Sequence, residues 1–158
     1  GEVFVVEPQP GRRELARQLG ASAVIDPKSV DPVGELRKLT GGIGPDVVLE
    51  AAGVVSVTPV AIQAARKGGR IVLVGIPVAA TTFNFFDIVF TEKEVIGSLS
   101  HVYDEDYATA VRWLGDGRIL AEPLISARIP LERLIADGLD RLEQHPAETL
   151  KVLVKPHG

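Results

Sequence analysis

The sequence predicts an α/β fold organised on a doubly wound parallel sheet. Short β-branched runs alternate with helical patterns from the first residues onward, and that rhythm requires crossover connections between parallel strands. The run Ile71-Val72-Leu73-Val74 shows no polar alternation, as expected of a strand covered on both faces. Carboxylates and small residues gather where strands end, at Glu7, Asp26, Glu50, Gly53 and Gly75, which is where ligands bind in open parallel sheets.

Each element has its own signal. Val3 to Glu7 reads as a strand closed by Pro8 and Pro10, and Leu15, Ala16 and Leu19 share one face of a helix that Gly20 ends. Ala23 to Asp26 is a second strand. Asp31-Pro32 marks a helix start, the carboxylate as cap and the proline in the first turn. Val33, Leu36 and Leu39 form its apolar stripe, and Gly41-Gly42 stop it. Strand character follows at Asp46 to Glu50, helical character from Thr58-Pro59 to Lys67, and a fourth strand at Arg70 to Gly75. The stretch Ala79 to Asp87 is looser and carries Phe83, Phe85 and Phe86, before strand character returns at Val95 to Leu99. From His101 the texture shifts. Asp104 is placed to cap a helix whose inner face is Tyr107, Ala108, Val111 and Leu114. Leu124 to Ile129 reads as a strand, Leu131 to Leu142 as a helix, and Leu150 to Val154 as a closing strand.

At 158 residues the chain is long enough to bury a core. A net charge of -4 argues against nucleic-acid and acidic-lipid partners, neither of which is drawn to an acidic surface. No segment reaches the roughly 20 apolar residues of a membrane span, and no leader is visible, so a cytoplasmic protein is expected. The absence of cysteine excludes disulfides and thiolate metal sites within these residues. The chain also lacks methionine and opens inside an apolar run, so it reads as a piece of something longer.

The strand ends have the makings of a nucleotide site. Glu7 can accept hydrogen bonds from both hydroxyls of an adenosine ribose and would repel a 2′-phosphate, favouring NAD over NADP; its plainer role is an acid near a helix N-terminus. Arg12 either lies against the same ribose or is a surface arginine. Asp26 is a turn residue or touches the adenine edge. Ala51-Ala52-Gly53 and Val74-Gly75-Ile76 offer backbone that a ligand can approach closely. Gly41-Gly42-Ile43-Gly44 follows a helix and precedes a strand, the reverse of a phosphate loop, and is a turn. His101, His145 and His157 show no metal-ligand spacing.

Several segments then become recognisable in order: Val3-Phe4-Val5-Val6-Glu7, Val24-Ile25-Asp26-Pro27, Pro45-Asp46-Val47-Val48-Leu49-Glu50-Ala51-Ala52-Gly53, Lys67-Gly68-Gly69-Arg70-Ile71-Val72-Leu73-Val74-Gly75, Ile96-Gly97-Ser98 and Leu150-Lys151-Val152. Together they resemble the medium-chain zinc-dependent alcohol dehydrogenases, and most closely the sorbitol, butanediol and threonine dehydrogenase branch. The resemblance implies an incomplete Rossmann-type sheet, its first strand and Gly-rich turn lying upstream of Gly1. Residues 1–100 would finish the dinucleotide-binding domain, and residues 101–158 would be the C-terminal segment of the GroES-like catalytic domain. Carried over by position, Glu7 matches the ribose-binding acid and Arg12 a ribose-side arginine. Ala51, Ala52, Gly53, Val74, Gly75, Ile76, Ser98, Leu99 and Ser100 match backbone contacts with the cofactor, and Lys151 a basic position near the pyrophosphate. The resemblance implies NAD as cofactor, an alcohol or polyol substrate, and a homo-oligomer (dimer or tetramer) formed through residues 83–99. It also implies zinc in the parent, held by residues outside this chain, so no catalytic or metal residue is assigned here. The chain alone is expected to be inactive, and alcohol oxidation by the purified 158-residue protein would overturn that.

Three rivals remain at this level. A zinc-independent quinone or enoyl reductase of the same superfamily would share these segments. A methyltransferase also ends such a strand with a ribose-binding acid, but calls for an acidic or Asn-Pro-Pro signature where Glu50-Ala51-Ala52-Gly53 stands. The third is a regulatory nucleotide-binding module.

Overall fold

The computed structural model of the protein describes residues 1–156; His157 lies outside them. In chain order the elements are β1 (Phe4–Val6), α1 (Pro10–Gln18), β2 (Ala23–Ile25), α2 (Pro32–Leu39), β3 (Val47–Glu50), α3 (Val57–Ala64), β4 (Arg70–Leu73), α4 (Phe86–Val89), β5 (Glu94–Gly97), α5 (Ala108–Gly115), β6 (Ile125–Pro130), α6 (Asp140–Gln144) and β7 (Lys151–Lys155). The strands form three sheets: β1-β2, β3-β4-β5 and β6-β7. The chain divides into two compact units. One is Ile25–Ser100; the other joins Gly1–Val24 with the chain from His101 onward.

The Ile25–Ser100 unit is built on the parallel sheet β3-β4-β5. Helix α2 starts as its sequence demands, since Asp31 accepts hydrogen bonds from the amides of Val33 (3.3 Å) and Gly34 (2.9 Å). A cap of this kind contributes about 1 kcal/mol. The helix ends where the amide of Gly42 donates back to the Arg37 carbonyl, at 2.7 Å, so the glycine run is a terminator. Helix α3 packs on β3 and β4. Its Thr58, Ala61 and Ile62 recur at helical spacing and are buried, and Ala61 and Ala65 close over Ile71, with Val48 and Leu73 alongside. Lys93 ties the far end of α3 to the turn before β5 by donating to the Ile62 carbonyl at 2.7 Å. Partial burial lowers its pKa, and nearby Asp87 opposes that shift.

The sheet departs from expectation in one respect. In β4 Val72 and Leu73 are half-buried and Val74 just beyond it is exposed, while on the flanking strands Val47, Leu49, Val95 and Ile96 are exposed, Leu49 by 69%. Helix α3 packs across both β3 and β4, and alternate residues of a strand point to opposite faces. Strand β3 is also an edge. A further difference is α4, a short helix where a loose stretch was expected. Asn84 makes it possible by accepting the amide of Phe86 at 3.0 Å.

In the other unit, β1 pairs with β2, and the Ser22 amide donates to the Val3 carbonyl at 2.7 Å. Strands β6 and β7 pair in parallel with a register irregularity between Ile125 and Ala127. There Ser126 accepts the amide of Leu150 at 2.8 Å. The expected cap at Asp104 is not made. A wide π-type turn over Tyr103–Tyr107 precedes α5, and Asp106 accepts the Val102 amide instead, at 2.9 Å. The expected inner face of α5 is exposed at Tyr107, Val111 and Leu114. The segment from Leu131 to Gln144 is also not one regular helix: a tight turn and a wide turn lead into α6, leaving Leu131, Ile135 and Leu139 exposed.

Candidate functional site

The parallel register sets the strand ends in a row. Glu50 lies opposite Leu73, and Leu73 opposite Gly97. The residues that follow these three ends are the backbone positions singled out in the sequence: 51–53, 74–76 and 98–100.

The first two sets are knitted together around Glu50. This carboxylate is only 2% exposed. Its Oε1 accepts the amides of Ala52 at 2.8 Å and Gly53 at 3.0 Å. Its main-chain carbonyl accepts the amides of Val74 at 2.8 Å and Gly75 at 2.9 Å. Four backbone donors are thus turned inward on one residue. Oε2 is buried with no hydrogen-bond partner among the described residues.

Glycine is required at both crossings. Gly53 has φ +63°, a left-handed conformation that other residues adopt only at a cost. Gly75 leaves no room for a side chain. A Cβ there would lie 2.6 Å from Glu50 Oε2 and 2.7 Å from Gly53 Cα, and would overlap the Gly53 amide nitrogen. The close approach read from the sequence is therefore first an approach of two strand ends to each other. Their outer surface remains open: Ala51, Ala52, Val74 and Ile76 are exposed.

The third strand end joins through the Ser98 amide, which donates to the Leu73 carbonyl at 2.9 Å. Ser98, Leu99 and Ser100 are exposed, and Ser100 sits at φ +61°, a strained conformation for a residue with a side chain.

The remaining sequence candidates have engagements of their own. Glu7 accepts the Gln9 amide at 2.7 Å through Oε1, and its carbonyl accepts from Arg13 at 2.8 Å. Arg12 donates through Nη2 to the Pro146 carbonyl at 2.7 Å, while its Nε is buried with no partner among the described residues. Lys151 is exposed at the start of β7. Glu7, Arg12 and Lys151 belong to the unit that excludes the β3-β4-β5 sheet. Asp26 organises its own turn, accepting the Lys28 amide at 3.0 Å and the Ser29 hydroxyl at 3.2 Å. The role of Glu50 was not foreseen. Its signal is an acid closing an apolar strand directly before three small residues.

Among the described residues no group of three or more His, Cys, Asp or Glu is placed to hold a metal, and the chain has no cysteine. A zinc site does not fit these residues. No described helix is long and apolar enough to cross a membrane.

A parallel α/β sheet whose carboxyl ends meet through close-packed glycines is of the Rossmann-type class. Comparison with known proteins narrows this. The model of the family described as zinc-binding dehydrogenase matches residues 1–116, and the chain belongs to that family. The (R,R)-butanediol dehydrogenase of Neisseria gonorrhoeae is 32% identical over 157 residues, 99% of this chain and 44% of that protein. The crystal structure of 2R,3R-butanediol dehydrogenase from Bacillus subtilis superposes with a TM-score of 0.89 at 30% identity, covering 99% of this chain and 44% of that one. Two structures with bound cofactor are similar too. One is a zinc-binding dehydrogenase of Sinorhizobium meliloti bound to NADP, with TM-score 0.85 and 30% identity over 98% of this chain and 45% of that one. The other is an alcohol dehydrogenase of Escherichia coli complexed with NADH, with TM-score 0.85 and 27% identity over 98% of this chain and 44% of that one. The chain thus spans less than half the length of the relatives it matches.

Proposed function

We propose that the chain forms part of an oxidoreductase that transfers a hydride between a secondary alcohol or polyol and NAD, and that its own contribution is to hold the cofactor. The observation that carries this is the polarity of the strand ends. The amides of Ala52, Gly53, Val74 and Gly75 are all spent on Glu50. Because the N–H and C=O of a trans peptide point opposite ways, the carbonyls of Ala51, Ala52 and Val74 face away from Glu50, and these are what those peptides offer a ligand. A surface of acceptors suits a group that donates, such as the carboxamide NH₂ of nicotinamide, and does not suit a phosphate, which needs donors. We therefore assign Ala51, Ala52, Gly53, Val74, Gly75 and Ile76 to the nicotinamide half, with Ser98, Leu99 and Ser100 continuing the row.

When bound, the nicotinamide ring supplies the hydride acceptor. The chain's residues fix the ring's position through backbone geometry, and so raise the fraction of encounters that are productive. Glu7, Arg12, Asp26 and Lys151 are proposed for the adenosine and pyrophosphate half. Zinc, as a Lewis acid on the alcohol, would be held by residues that this chain does not supply. The exposed rings of Phe85, Phe86 and Phe90, beside strand β5, are proposed as a pairing surface between copies. A face this apolar marks an interaction site.

The cofactor preference rests on Glu7. One of its oxygens is held by the Gln9 amide, and we read the carboxylate so fixed as the charge that a 2′-phosphate would meet. NADH is expected to bind at least about 10-fold more tightly than NADPH, since an unpaired like-charge contact costs more than 1 kcal/mol. Titration of each into the protein, followed by nicotinamide fluorescence, measures this. Equal affinities would remove the assigned role of Glu7.

A further inference from the structure

We infer that Glu50 is a positioning residue for the nicotinamide end of the cofactor: by capturing the amides of Ala52 and Gly53 it turns the carbonyls of this loop toward the ligand. The inference rests on the reading of this site as a nicotinamide site and deepens it.

The argument starts from cost. A carboxylate with 2% exposure is expensive to bury unless its oxygens are paired. Here one oxygen takes two amides and the other takes none. An alanine or serine at this position would avoid the penalty, and the sheet itself needs only the main-chain carbonyl of residue 50, which already accepts Val74 and Gly75. The side chain is therefore surplus to strand pairing. What it alone does is dictate the orientation of the two peptide groups that carry the Ala52 and Gly53 amides. Without it, the amides of residues 52 and 53 would lack their acceptor, and an unpaired buried donor is relieved by rotating the peptide toward water or ligand. Such a rotation exchanges outward carbonyls for outward amides and inverts what the loop can recognise. Gly75 supports the arrangement from the other side. With no Cβ, it lets the carboxylate sit against the β4 end, where any side chain would meet Oε2.

The inference predicts an effect confined to one half of the cofactor. NADH contains the nicotinamide ring and ADP-ribose lacks it, so a positioning role changes only the first. Calorimetric titration of both into the full chain and its variants tests this. Glu50→Met keeps the length and bulk of the side chain but has no oxygen to accept the two amides. It is expected to weaken NADH binding about 10-fold and leave ADP-ribose within about 2-fold, the size of one lost oriented hydrogen-bond set. Glu50→Gln keeps an acceptor at Oε1 and is expected to restore NADH to within about 3-fold of the unaltered protein. Glu50→Ala should match Glu50→Met; where it folds poorly, the Met and Gln variants decide alone. Unchanged NADH affinity in Glu50→Met overturns the inference. Parallel loss of both ligands overturns it too, because that is the mark of a general role in folding. Failure of the unaltered protein to bind NADH while binding ADP-ribose overturns the nicotinamide reading as well, and no substitution is needed to see it.

Discussion

Replacing Gly75 with alanine is expected to lower stability by about 3 kcal/mol and the midpoint of thermal unfolding by roughly 6–12 °C. The added methyl would stand 2.6 Å from Glu50 Oε2 and 2.7 Å from Gly53 Cα and would overlap the Gly53 nitrogen. Two of these three neighbours are backbone, which moves only if the strand ends part. Parting them breaks the hydrogen bonds from Val74 and Gly75 to the Glu50 carbonyl. Binding of NADH should be lost with them. Gly97→Ala is the control. Nothing lies within 4 Å of a Cβ there, and a change of no more than about 0.5 kcal/mol is expected, as for other open sites. Thermal unfolding followed by circular dichroism compares the two. A Gly75→Ala protein as stable as the control would show that the strand ends are not in close contact.

The second large effect lies beneath the site. Ile71 is completely buried at the centre of β4, against Ala61 and Ala65. Its truncation to alanine removes three carbons from a position with small neighbours that have little side chain with which to fill the gap. A loss of about 3–4 kcal/mol is expected, within the range for isoleucine truncation in a packed core. Ile71→Val should cost about 1 kcal/mol. Val47→Ala, on the exposed edge strand, should cost less than about 0.5 kcal/mol. Urea unfolding gives all three as shifts in midpoint at constant slope. A small effect at Ile71 would mean that the helix covering β4 is not firmly seated.

What the sequence made legible was mostly local. Asp31-Pro32 announced a helix because capping is settled within three residues, and the bonds to Val33 and Gly34 are there. Strands β3 and β4 were evident from unbroken apolar runs followed within a few residues by glycine. Helix α4 escaped notice because it is four residues long and its start is marked by a single bond, from the Phe86 amide to Asn84. The stretch around Asp104 misled for a related reason. Three acids stand together there, and the path of the backbone turns Asp106 back onto the Val102 amide and leaves α5 without a side-chain cap. The apolar stripes of α5 and of Leu131, Ile135 and Leu139 have correct spacing, yet they stay exposed. Periodicity reports that a face needs covering and is silent on what covers it. The candidate site divides along the same line. Residues 51–53 and 74–76 were visible as small residues after strands. Their union through Glu50 is a contact between positions far apart in sequence, and no local pattern encodes it.

The register of the β3-β4-β5 sheet has a consequence for how this sequence can change. Because Glu50, Leu73 and Gly97 end on one row, the three loops beyond them are aligned by counting alone. A substitution within a strand leaves that count intact. An insertion or deletion of one residue in β4 would carry Gly75 about 3.3 Å along the strand and reverse the facing of every side chain past it. Variation among descendants of such a sheet is therefore channelled into residue identity within strands and into length within the loops on the opposite, amino-terminal side. Strand length is the quantity held fixed.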